Sequence, residues 1–143
     1  MDTSETYIKM CERAEEIQDE WVPKMGDWVC SATHCLRNKK SRRNVRVVQY
    51  IEIKRHLPII HSRESMGTMD AKYRVDVIWL PRQDQLQEMV NRPSLSWMLR
   101  DASNFEHDVE FDSMEQLWLA FVMKEKYNKI WNGSEWTVSM EAK

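Results

Sequence analysis

Glycine, proline and cysteine are scarce, at three, four and three in 143 residues, and each scarcity excludes something. Walker and dinucleotide loops each need two or three glycines within a few residues, so scattered ones cannot cradle a phosphate. No cofactor is expected. Few turn-formers favour helices and long strands over a small many-turned barrel. An odd number of cysteines excludes a fully paired disulfide framework and points to reduced thiols in a cytosolic setting. Long apolar runs are missing too: nothing approaches the ~20 residues needed to cross a bilayer. The opening MDTSETYIKM is acidic and polar, unlike a signal peptide. No membrane partner is expected.

What is plentiful is large apolar side chains, seven Trp and ten Met, within 42% hydrophobic and 31% charged residues. That balance is globular. The length fits a single domain, residues 1–143, burying roughly two thirds of its unfolded surface. Its centre is placed at Asp112–Tyr127. Ser113 and Gln116 have capping-box spacing. Met114, Leu117, Trp118, Phe121 and Val122 recur at helical period, and Leu119, Ala120 and Met123 make the other faces apolar. A helix apolar nearly all round belongs inside.

Residues 4–21 read as one amphipathic helix, with Asp2, Thr3 and Ser4 as caps and Pro23 and Gly26 as its stop. Tyr7, Met10, Cys11, Ala14, Ile17 and Trp21 form its apolar stripe. Strands are expected at Trp28–Leu36, Val45–Lys54 and Ala71–Leu80, from period-two alternation. Arg37–Asn44 reads as a basic hairpin tip, and Arg55–Asp70 as a long functional or mobile loop. Short helices are expected over Pro81–Val90 and from Pro93 to Ala102, with Phe105–Phe111 an acidic connector. Asn132-Gly133 signals a hairpin pairing Lys129–Trp131 with Glu135–Val138. The expected fold is therefore α+β: a small antiparallel three-stranded sheet packed by about four helices, with a C-terminal hairpin.

Three stretches, YIKMCERAEEIQ (Tyr7–Gln18), VIWLPRQDQLQEMV (Val77–Val90) and MEQLWLAFVMKEKYNKIWNGSEW (Met114–Trp136), resemble a family of small phage and prophage proteins. The likeness covers about the first 29 residues and most of 76–136; residues 31–74 depart from it. It implies a cytoplasmic protein of a mobile element, acting inside an infected bacterium. It carries over no activity and no catalytic or binding residue.

Charge is the most uneven property. Residues 31–74 hold eleven basic and three acidic residues, a net +8; the rest hold ten basic and twenty acidic, a net −10. Arg37, Lys39, Lys40, Arg42, Arg43 and Arg46 fall within ten residues. Such a cluster neutralises phosphates or meets an acidic protein partner, with Tyr50 and Tyr73 as stacking faces for bases. The plain alternative is a solvated tip facing the chain's own acidic helices. Arg74 and Arg82 mark a candidate ligand pocket, where a strand end feeds a helix N-terminus.

Other constellations are weaker. Cys30, His34, Cys35, His56 and His61 are metal-ligand types, but they lack two matched pairs, and no metal is expected. Ser62 and Ser65 near His61 lack a nucleophile elbow. Asp108, Glu110 and Asp112 sit before a helix start, where negative charge suits the dipole. No catalytic residue is assigned. The leading expectation is a non-enzymatic accessory protein that binds a host or phage macromolecule, a protein foremost, and inhibits a host factor. The alternatives are a nucleic-acid or nucleotide binder using residues 37–46, and a hydrolase. No pattern encodes an oligomeric state.

Overall fold

A computed structural model describes residues 1–31, 45–54, 57–63, 69–73, 77–90, 100 and 109–140. Contacts gather the chain into two units, Thr3–Pro81, and Met1–Asp2 with Arg82–Lys143. The class is α+β, with four helices and two antiparallel sheets among the described residues.

In the first unit, helix α1 (Glu5–Arg13) starts where the Ser4 hydroxyl accepts from the Tyr7 amide at 3.1 Å. The single helix expected over 4–21 is broken at Ala14, and α2 follows at Glu15–Glu20. The break has no proline or glycine in it. Its cause lies in the carbonyl of Cys11, which in an unbroken helix would accept from Glu15. It accepts instead from the Ala14 amide at 3.2 Å and from Gln18 Nε2 at 3.0 Å. The expected stripe still points inward: Tyr7, Met10, Cys11, Ala14, Ile17 and Trp21 are all buried.

Five strands make one sheet: β1 (Trp28–Ser31), β2 (Val45–Lys54), β3 (Leu57–Arg63), β4 (Met69–Tyr73) and β5 (Val77–Leu80), in the order β4-β3-β2-β1-β5. Every pairing is antiparallel. The sheet is thus wider than the three strands read from alternation. The loop expected over Arg55–Asp70 contains β3, paired on one side with β2 and on the other with β4. Its stretch LPIIHSR sets Leu57, Pro58, Ile59 and Ile60 side by side, so no period-two alternation marks it as a strand. The strand expected at Ala71–Leu80 is two strands on opposite edges. Beyond Ser31, the expected first strand lies outside the described residues.

This order requires a coiled sheet. Tyr73 and Val77 are four residues apart, a reach of at most about 14 Å. Flat strands about 4.8 Å apart would separate the two edges by about 19 Å. Strand β2 resolves the conflict by serving both halves. It pairs with β1 through Val45–Val47 and with β3 through Val47–Lys54, and its register shifts between Val48 and Tyr50. Such an irregularity bends a strand and raises its twist.

The α2–β1 turn is fixed from inside. Asp27, nearly fully buried, accepts from Trp21 Nε1 at 2.9 Å and from the Lys24 amide at 2.8 Å. Gly26 donates to the Val48 carbonyl and Asp27 accepts from the Val48 amide, at 2.9 and 2.8 Å. Gly26 has φ +87°, a conformation that disfavours any side chain. Trp21 stacks on Trp79 with ring centroids 5.6 Å apart.

In the second unit, α3 spans Gln83–Met89 and buries Leu86 and Val90. Helix α4 (Met114–Tyr127) is the apolar rod expected: Gln116 and every residue from Trp118 to Met123 are buried. Met114 departs from its expected inward place and is 45% exposed, as the first residue of the helix. The capping arrangement is shifted by one residue. Ser113 Oγ accepts from the Gln116 amide at 3.2 Å, while Gln116 Oε1 accepts from the Asp112 amide at 3.3 Å. Asp2 completes it, accepting from Ser113 Oγ at 2.6 Å and Gln116 Nε2 at 2.8 Å.

Asn128 ends the helix in the left-handed region (φ 54°) and turns the chain into β6 (Lys129–Trp131) and β7 (Trp136–Val138). Trp131 faces Trp136 across the hairpin. Four residues connect the strands rather than the two of an Asn-Gly turn. The Asn132 side chain holds them, accepting from the Ser134 and Glu135 amides at 2.9 Å each. Of the helix expected over Pro93–Ala102, Arg100 is helical and the rest lies outside the described residues, as does the connector up to Asp108.

Candidate functional site

The basic cluster is reached through its two ends. The chain leaves β1 at Ser31 and re-enters at Val45, which pairs with Cys30. Arg37, Lys39, Lys40, Arg42 and Arg43 lie in the connection between those paired strands, outside the described residues. Arg46 is on β2, in register with Val29. The proposed stacking residues are not neighbours in the sheet: Tyr50 shares a row with His61 and Ala71, and Tyr73 shares one with Ile59 and Glu52. They sit two strands and two residues apart.

Of the candidate pocket pair, Arg74 lies outside the described residues. Arg82 caps α3, where its amide donates to Gln85 Oε1 at 2.9 Å. Its guanidinium holds Asp84 through Nε at 3.1 Å and Nη2 at 3.2 Å. That bond holds the Asp84 carboxyl below the ordinary carboxylate range. A lowered folded pKa stabilises above the unfolded value, and the contribution is lost as pH falls through the folded one. The pair is solvent-exposed, so its weight is small. Arg82→Ala is expected to change the unfolding free energy by under about 1 kcal/mol. A fall of several kcal/mol in a urea titration would show instead that the guanidinium carries part of the fold. Glu12 shifts the other way, its carboxyl raised by burial despite the adjacent Arg13.

Among the metal-ligand types, Cys30 is buried on β1 and is disulfide-bonded. This corrects the expectation of three reduced thiols: an odd count excludes full pairing, not a single bridge. Cys11 is a free, buried thiol. His61 sits mid-strand on β3, paired with Tyr50 and Ala71, and His34, Cys35 and His56 lie outside the described residues. No group of three or more His, Cys, Asp or Glu able to hold a metal ion occurs among the described residues. Glu110 and Asp112 are exposed, and Asp108 is outside the described residues.

Among the described residues, the buried polar side chains hold the fold. Asp27 pins the α2–β1 turn, Gln116 caps α4, and Ser139 accepts from Lys124 Nζ at 2.7 Å while its carbonyl accepts from Asn128 Nδ2 at 3.2 Å. Sequence reasoning missed an open groove of about 290 Å³ at the amino end of α4, lined by Phe111, Asp112, Ser113, Met114 and Leu117. Its residues had been read as caps and core, and half-exposed Met114 is what opens it. No described helix is long and apolar enough to cross a membrane. Comparison with protein-family models, curated proteins and solved structures gives no match.

Proposed function

We propose that this chain is a non-catalytic binding protein of phage or prophage origin, which engages a host or phage protein and restrains a host factor by occupying it. The observation that carries the reading is the segregation of charge. A net +8 lies in residues 31–74 and a net −10 in the remainder, with five of the six clustered cations in the single connection between β1 and β2. A paired-strand base with a cationic connection is a natural carrier for a recognition loop. The engagement of Asp27, Gln116 and Ser139 in turns and caps supports binding over catalysis. The phage origin rests on the likeness of the three stretches quoted above.

Capture from a bacterial lysate tests it. The intact chain is compared with one in which Arg37, Lys39, Lys40, Arg42, Arg43 and Arg46 are changed to glutamine. The intact chain is expected to retain a protein that the neutralised one loses; retention of every partner by the neutralised chain overturns the reading. The same six cations favour a second reading, a nucleic-acid or nucleotide binder. If all six met phosphates, affinity would drop about 10³-fold between 50 and 200 mM salt. Retention on nucleic acid that is absent, or indifferent to salt, removes this second reading and leaves the first.

The proposed setting is the host cytoplasm. A disulfide at Cys30 belongs to oxidising surroundings. The bridge therefore bears against that setting, and alkylation in intact cells before lysis decides: a reduced Cys30 keeps the cytoplasmic reading, and an oxidised Cys30 places the chain elsewhere.

A further inference from the structure

We draw no further inference here: the strongest candidate, the open groove at the amino end of α4 between Phe111 and Leu117, is a helix start whose caps are already supplied by Ser113, Gln116 and Asp2, and nothing in the structure shows what would cover its apolar walls.

Discussion

Trp118→Ala is expected to lower stability by about 3–5 kcal/mol, the range for emptying a fully buried indole site. Trp118 has no solvent exposure, and its ring meets Phe121 edge-on with centroids 5.7 Å apart. Helix α4 is buried nearly all round, so no side can collapse outward to fill the gap. A loss of this size is a large part of the 5–15 kcal/mol that holds a domain folded, and the variant can fail to fold. Trp118→Phe keeps the experiment decisive. The indole N–H is buried without a hydrogen-bond partner, so removing it relieves a desolvation cost while some packing is lost. The two effects oppose, and Trp118→Phe is expected within about 1.5 kcal/mol of the parent. Urea titration followed by circular dichroism reads both. If phenylalanine costs as much as alanine, the indole is held by its nitrogen and the rod is not simply an apolar core.

The same helix shows what the chain spells out locally. Ser113, Gln116 and the apolar period place α4 within a residue or two, because caps and amphipathic faces are short-range. Strand β2 is legible to its ends for the same reason: Val45 to Lys54 alternates at both ends and slips only around Val48 and Gln49, where the register also shifts. What failed to show depends on strand pairing rather than on local period. Residues 57–63 open on four consecutive apolar residues with a proline among them, so no alternation signals a strand, and what makes them one is their pairing with β2 and β4. Alternation runs from Ala71 to Val77 before Ile78 and Leu80 break it, yet Tyr73 and Val77 belong to opposite edges, since periodicity records which way a residue faces and not which strand it meets. The site divides in the same way. Six cations in ten residues are plain in composition, and five of them fall in sequence between β1 and β2. The bond between Arg82 and Asp84, by contrast, needs a turn geometry that a spacing of two does not announce.

The break at Ala14 is the clearest case of a distant partner overruling a local pattern, and it carries the second large prediction. Strand β5 lies at the edge of the sheet, and Trp79 turns its amide and carbonyl away from β1. Gln18 meets both: its Oε1 accepts from the Trp79 amide at 2.9 Å, and its Nε2 donates to the Trp79 carbonyl at 3.0 Å. One side chain thus stands in for a sixth strand at the position where the edge would otherwise be unpaired. Gln18 reaches it because α1 stops at Arg13 and α2 starts afresh, and its Nε2 also takes the Cys11 carbonyl released by the break. Gln18→Ala leaves three backbone groups without that partner beside a largely buried strand. At about 1–3 kcal/mol for each buried group left unsatisfied, reduced where water enters, the expected loss is about 2–4 kcal/mol. Amide exchange at Trp79 should accelerate more than exchange at Val29 on β1, a local signature that a general loss of packing would not produce. Gln18→Glu separates hydrogen bonding from volume. Ionised, its carboxylate accepts from the Trp79 amide but faces two carbonyl oxygens; protonated, it donates again. Its folded pKa is then raised above the ordinary value of about 4.3. The recovered stability is full below that value and is lost as pH rises through the folded one. Both variants matching the parent within about 0.5 kcal/mol, the usual spread for surface substitutions, from pH 4 to 8 would mean that the edge is held by something other than Gln18.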